Sequence, residues 1–215
     1  MAKKSNVQVV IFDFDGTLAD VVPLMREIYG EFSVKHGYPA LNDEDFERLR
    51  KGTAREVFKW AGIKPWQLPG LLKEGRKMFS VRSGQILLFA GVAELVRELH
   101  AEGWHIYILS SNDSATIREI LKRNQIDSIA TILRRPTLFG KASSIKALLR
   151  AHDYVRHNVW MVGDEVRDIE AANKAGVNSI AVAWGLQHEI ALAHADPTRI
   201  ALKVPEIKKY LLKGE

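Results

Sequence analysis

The chain has 215 residues, 47% hydrophobic and 27% charged, with a net charge of +5; this excludes a disordered polymer and leaves room for one core with a modest insertion, or for two small domains. It contains no cysteine, which excludes disulfides, thiolate catalysis and cysteine metal sites. The basic residues are dispersed, in clusters no longer than pairs such as Lys3-Lys4, Arg134-Arg135 and Lys208-Lys209, so no stripe for nucleic acid is present, while a mild positive field favours a small anionic partner.

The opening Met1–Asn6 lacks the apolar stretch of a signal peptide, and no apolar run reaches membrane-spanning length; a cytoplasmic protein with no membrane partner is expected. Val7–Phe12 predicts a buried strand. Residues 19–86 then break any strand pattern. Leu24, Ile28 and Phe32, then Phe46 and Leu49, then Val57, Phe58 and Ala61, then Leu68, Leu71, Leu72 and Met78 fall at helical spacings. Pro39, Gly62, Pro65, Pro69 and Gly70 punctuate them. This predicts a helical domain at 19–86, inserted into a main domain made of 1–18 and 87–215.

Beyond the insertion, apolar stripes and short apolar runs alternate. Val92, Leu95, Val96 and Leu99 predict a helix, His105–Leu109 a strand, and Ile117, Ile120 and Leu121 a helix. Ile129–Leu133 is a weaker strand, followed by a helix through Ile145, Leu148 and Leu149. Val159–Val162, a helix through Ile169, Ala172 and Ala175, and Ser179–Ala183 complete the series. Gly103 and Gly176 sit where helix C-caps are expected. Such alternation implies an α/β fold, a doubly wound parallel sheet with helices on both faces.

In open parallel sheets function gathers at the carboxyl ends of the strands. Asp13 and Asp15 follow the first strand. A strand continued through Asp15 aims both carboxylates to one side, where they need a cation or a shared proton; the bland alternative is an ordinary Asp-Gly turn. Ser110, Ser111, Asn112 and Asp113 follow the second strand, ahead of a helix from about Ser114. They form either an anion site at a helix start or a capping loop. Arg134-Arg135 and then Lys141 follow the third. Lys141 either neutralises a bound phosphate or is solvated, and Arg134 either meets a substrate anion or lies on the surface. Asp164 and Asp168 follow the fourth. They share a face if a helix begins at once, so that Asp164 reaches a cation also held by Asp13, or they only balance a helix dipole.

Taken together, Asp13-Phe14-Asp15-Gly16-Thr17-Leu18, Ser110-Ser111-Asn112, Lys141 and Gly163-Asp164 through Asp168, in this order, resemble the four motifs of the haloacid-dehalogenase-like hydrolase superfamily. The tail from Ala183-Trp184-Gly185 to Asp196-Pro197 is also similar. The resemblance spans nearly the whole chain and implies a Rossmann-like sheet of order 3-2-1-4-5. It also implies that the insertion is the helical cap of phosphoglycolate-phosphatase-like members. The implied activity is magnesium-dependent hydrolysis of a small phosphorylated metabolite by a monomer or homodimer.

By the same resemblance Asp13 is the nucleophile that forms an aspartyl-phosphate, and Asp15 the general acid and base. Magnesium is held by Asp13, Asp164 and the Asp15 backbone carbonyl. Gly16, Ser110, Ser111, Asn112 and Lys141 bind phosphate, and Asp168 orients the metal shell or Lys141. Dehalogenases of the superfamily lack the aspartate present here as Asp15. Its sugar phosphomutases carry a cap histidine where this chain has Met25, which weakens the alternative of a phosphotransferase or mutase. Phosphoglycolate phosphatases usually follow the third-motif lysine with proline, and here Ala142 follows Lys141. A non-catalytic binding module is expected to lose Asp13, Asp15 or Asp164. In the cap, Arg50, Lys51, Gly52 and Arg55 are the candidates to face the site, with Thr53 a helix N-cap.

Overall fold

The computed structural model describes residues 7–134 and 140–212, without the side chains of Ala54 and Arg134. The expectations placed on Lys3-Lys4, Arg135 and the Arg134 side chain lie outside the described residues.

The elements run in chain order as β1 (Val9–Phe12), β2 (Ala19–Asp20), α1 (Val22–His36), α2 (Asp43–Leu49), α3 (Ala54–Trp60), α4 (Leu68–Val81) and β3 (Leu87–Leu88). They continue as α5 (Val92–Ala101), β4 (His105–Ser110), α6 (Ser114–Arg123), β5 (Ala130–Arg134) and α7 (Lys141–His152). The last are β6 (Val159–Gly163), α8 (Val166–Ala175), β7 (Asn178–Val182), α9 (Glu189–Ala193), β8 (Arg199–Ala201) and α10 (Val204–Leu212).

The strands β5-β4-β1-β6-β7-β8 form one sheet, and every pair in it is parallel. The five expected strands stand in the order 3-2-1-4-5, and β8 adds a sixth at the edge. Its three residues are too few to show a periodic signal in sequence. β1 is central, with Val9 opposite both His105 and Val159. All four of its side chains are buried, as a strand covered on both faces requires.

The strand period of two sorts the core into layers. Val10, Phe12, Ile106 and Ile108 pack with α5, α6 and α10 through Leu95, Leu99, Ile117, Ile120 and Ile207. Val9, Ile11, Tyr107 and Leu109 pack on the other face with α7 and α8 through Ile145, Leu149, Ala172 and Ala175. Each helical stripe predicted for the main domain therefore meets the sheet.

The insertion adds no strand to this sheet. Its four helices are bracketed by β2 and β3, which pair antiparallel, Ala19 with Leu88 and Asp20 with Leu87. The Phe89 N–H also donates to the Leu18 carbonyl at 2.9 Å. The two crossings thus lie side by side as a short ribbon. Thr53 caps α3, accepting from the Glu56 N–H while the Glu56 carboxylate accepts from the Thr53 N–H.

The first strand ends at Phe12, where its apolar run ends, so the condition of a strand continued through Asp15 is not met. The Phe14 carbonyl accepts from the N–H groups of Leu18 and Ala19, and Gly16 takes a left-handed φ of 80°. The chain is already turning at Asp15, so the same-side rule for alternate strand residues no longer applies.

Candidate active site

Parallel strands that begin together also end together, so β1, β4 and β6 deliver their following loops to one end of the sheet. Asp13, Lys141, Asp164 and Asp168 are all buried there. The Asp13 backbone stays tied to the sheet, its N–H donating to the Val162 carbonyl at 2.8 Å. Its Oδ1 accepts from the Phe14 N–H at 2.8 Å. Its Oδ2 lies 2.8 Å from the Lys141 ammonium, which also touches Asp168 Oδ1 at 2.5 Å. The lysine, at the first position of α7, is therefore a buried bridge between two carboxylates and not a solvated side chain. Burial opposes its charge, but Asp13 and Asp168 outweigh burial and hold the ammonium protonated well beyond the usual lysine range.

Asp164 and Asp168 do not share a helix face. α8 begins only at Val166, so Asp164 lies in the loop, while Asp168 is in the first turn and accepts from the Glu165 N–H at 3.3 Å. Asp164 is enclosed from other directions. Its Oδ1 accepts from the Thr17 hydroxyl at 2.9 Å and its Oδ2 from the Leu186 N–H at 2.7 Å. Two glycines make room for it. A Cβ on Gly16 would lie 2.1 Å from Asp164 Oδ2, and one on Gly185 would lie 2.3 Å from the same atom and from the Gly16 carbonyl. Thr17, Gly185 and Leu186 were not singled out individually from the sequence; the Thr17 hydroxyl within the first motif was the available signal.

Asp15 is turned away from this group. Its Oδ1 accepts from Asn112 Nδ2 at 2.8 Å and its Oδ2 from the Ser110 hydroxyl at 3.4 Å. Ser110 and Asn112, expected on a phosphate, are thus engaged with the acid. The Gly16 N–H is engaged too, donating to the Ala19 carbonyl at 2.9 Å. Ser111 lines the adjoining cavity. The α6 cap is Asp113, whose carboxylate accepts from Ala115 and Thr116 N–H groups.

Burial, and then the nearby Asp13 charge, push the Asp15 carboxyl up to about 7 against the opposing pull of Asn112, Lys141 and Ser110. Burial also raises Asp164 well above its ordinary range, with Asp13 adding to it. Asp168 is pushed up to about 7, by burial first, which Lys141 partly offsets.

Carboxylate oxygens of Asp13, Asp164 and Asp168 lie within 4.8 Å of one another. Three buried carboxylates beside one ammonium cannot all stay ionised without a further cation, and oxygen-only donors suit a hard divalent one. The site chemistry therefore fits magnesium.

The cap candidates fall elsewhere. Lys51 and Arg55 are exposed, and neither they nor Arg50 and Gly52 line the cavity beside Asp15. Arg50 ties the insertion to the loop after β7 instead. Its guanidinium donates to the carbonyls of Ala183, Gly185 and Leu186 at 2.9–3.2 Å. Its own carbonyl accepts from the His188 N–H at 2.9 Å, and the Gly52 carbonyl from Gln187 Nε2 at 3.2 Å. A separate cavity of about 420 Å³ opens near His105, at the start of β4, away from these carboxylates.

A family model described as haloacid dehalogenase-like hydrolase matches residues 10–182. A phosphoglycolate phosphatase from Synechococcus elongatus is 32% identical over 192 residues, covering 89% of this chain and 91% of its own. Another, from Vibrio cholerae serotype O1, is 27% identical over 206 residues, covering 89% and 91%. A haloacid dehalogenase-like hydrolase from Streptococcus pneumoniae superposes with a TM-score of 0.78 at 22% identity, covering 95% of this chain and 98% of its own. That last likeness speaks to the fold alone.

Proposed function

The chain belongs to the haloacid dehalogenase-like hydrolases, and from that premise we propose that it is a magnesium-dependent phosphatase of small phosphomonoesters. The observation that carries this reading is Asp15, poised at about 7 beside Asp13 and facing an open cavity. A carboxyl that holds its proton near neutrality is matched to general acid and base work.

In this reading an Asp13 carboxylate oxygen attacks phosphorus as the bond to the alcohol oxygen breaks, and Asp15 gives its proton to that oxygen. Asp15 then takes a proton from water, whose oxygen attacks the aspartyl-phosphate, releases phosphate and restores Asp13. Lys141, held by Asp168, offsets negative charge beside the nucleophile. Asp13, Asp164 and the Asp15 backbone carbonyl would hold magnesium. Bound there, it supplies positive charge against the phosphoryl oxygens. Ser111 lines the cavity edge, where its hydroxyl and backbone N–H would meet the phosphoryl group.

Residues 19–86 act as a cap over a core of 1–18 and 87–215, with the β2–β3 ribbon as the joint. Met25 lines the cavity and has no proton to exchange, which favours transfer to water over transfer to a second sugar position. A substrate drawn from the small phosphorylated metabolites of the cytoplasm would put the protein's work there. Among the described residues no helix is long and apolar enough to cross a membrane.

The test is hydrolysis of p-nitrophenyl phosphate. Activity should require magnesium, vanish with EDTA, and be absent from an Asp13→Asn variant that retains its circular dichroism. Retained turnover in that variant sinks the proposal.

A further inference from the structure

The cavity that opens on Asp15 has a volume of about 480 Å³, within the range that drug-sized ligands fill. Its two ends differ. The core end presents Asp15, Ser111 and Asn112. The other end is walled by helices of the insertion. α1 contributes Met25, Ile28, Tyr29 and Phe32, spaced i, i+3, i+4, i+7 on one stripe. α4 turns its own stripe, from Leu68 through Leu72 to Phe79, toward the same space. Two such stripes ordinarily bury their area on each other. Here a void separates part of them, and Met25 and Leu72 are left 41% and 38% exposed.

The polar groups of that wall are few or already engaged. The Tyr29 hydroxyl donates to the Pro39 carbonyl at 2.9 Å. At the core end Arg167 is paired with Glu165 at 2.5 Å through one terminal nitrogen, while its buried Nε has no partner among the described residues. Arg76 is exposed and has no ion pair among the described residues. A two-carbon acid alcohol such as glycolate leaves most of this wall unfilled, and among the described residues the wall itself offers it one cation without an ion pair, Arg76.

We infer that the preferred substrate is a phosphomonoester whose alcohol half is bulky and apolar, an aryl-bearing alcohol filling the space between α1 and α4. This rests on the phosphatase reading, because Asp15 can protonate a leaving oxygen only on the cavity side. The two ends of the cavity then match the two ends of the substrate: phosphoryl toward Asp13 and Asp15, ring toward the leucines and phenylalanines.

The experiment compares three esters with unactivated alcohol leaving groups, 2-phenylethyl phosphate, ethyl phosphate and 2-phosphoglycolate, as initial rates with magnesium. The expected kcat/KM for 2-phenylethyl phosphate exceeds that for ethyl phosphate by at least ~10-fold, the scale set by a few buried carbons in an apolar pocket. It should also exceed that for 2-phosphoglycolate. Leu72→Gln, at a half-exposed position that tolerates polarity, should narrow the phenylethyl-to-ethyl ratio. Equal rates for the phenylethyl and ethyl esters overturn the inference and leave the phosphatase reading standing. So does a preference for phosphoglycolate that Arg76→Ala abolishes. No turnover of any ester, together with none of p-nitrophenyl phosphate, overturns both.

Discussion

Replacing Lys141 with methionine keeps an unbranched side chain, one heavy atom shorter, and removes its charge. In the structure the ammonium lies 2.8 Å from Asp13 Oδ2 and 2.5 Å from Asp168 Oδ1, and all three side chains are buried. At an effective dielectric of about 20 each such contact is worth at least about 4 kcal/mol of attraction, against a desolvation penalty of several kcal/mol per ion. The two attractions together win, in line with the raised lysine. Without the ammonium, Asp13, Asp164 and Asp168 face one another uncompensated, and removing one partner of a buried pair typically costs about 3–5 kcal/mol. The cost depends on pH. Burial pushes the Asp168 carboxyl up to about 7 in the intact protein, so well below that it is neutral and the Asp13 contact is the main one lost. Urea unfolding of both proteins in EDTA should give a penalty of about 3–5 kcal/mol near about pH 8 and roughly half of it near about pH 5.5. Magnesium should raise the midpoint of the variant more than that of the parent, since it restores positive charge to the same cluster. A penalty under about 1 kcal/mol at the higher pH, or one equal at both, refutes this account of the bridge.

Three further outcomes are expected. Gly16→Ala combines a left-handed φ of 80° with a Cβ 2.1 Å from Asp164 Oδ2; it should lose at least about 1 kcal/mol of stability and bind magnesium more weakly by calorimetry, because Asp164 must move. Arg50→Ala removes the donor to three carbonyls of the loop whose Leu186 N–H holds Asp164. It should lower stability by about 1–3 kcal/mol and weaken magnesium binding several-fold; unchanged magnesium affinity would show that the loop holds Asp164 without it. The last concerns pH. Asp15 is raised from 3.8 to about 7 on folding, so the folded state holds the extra proton across that window. Its contribution to stability is present in full below about 4 and lost as the pH rises through about 7. In EDTA, the stability of the parent minus that of Asp15→Asn should therefore fall from about pH 5 to about pH 8, and a difference flat in pH would contradict it.

The architecture was legible because a parallel sheet covered on both faces needs unbroken apolar strands such as Val9–Phe12, alternating with striped helices such as the one through Leu95 and Leu99. The address of the site was legible for a related reason: strands that run the same way deliver Asp13, Ser110 and Asp164 to one end. The edge strand Arg199–Ala201 was not, being too short to carry a period.

The sequence by itself also put the right chemical groups at that address: carboxylates, hydroxyls and a lysine. Only the tertiary structure decided what each of them touches. It buried Lys141 between Asp13 and Asp168 and turned Asp15 toward Asn112 and Ser110. It enclosed Asp164 with Thr17 and Leu186, and drew Arg50 onto the loop after β7 in place of the cavity. The reason is distance along the chain. Ser110 meets Asp15 across 95 positions and Thr17 meets Asp164 across 147. Local spacing fixes which way a side chain leaves its own element, while its partner, its burial and so its proton affinity are set by elements that folding alone brings beside it.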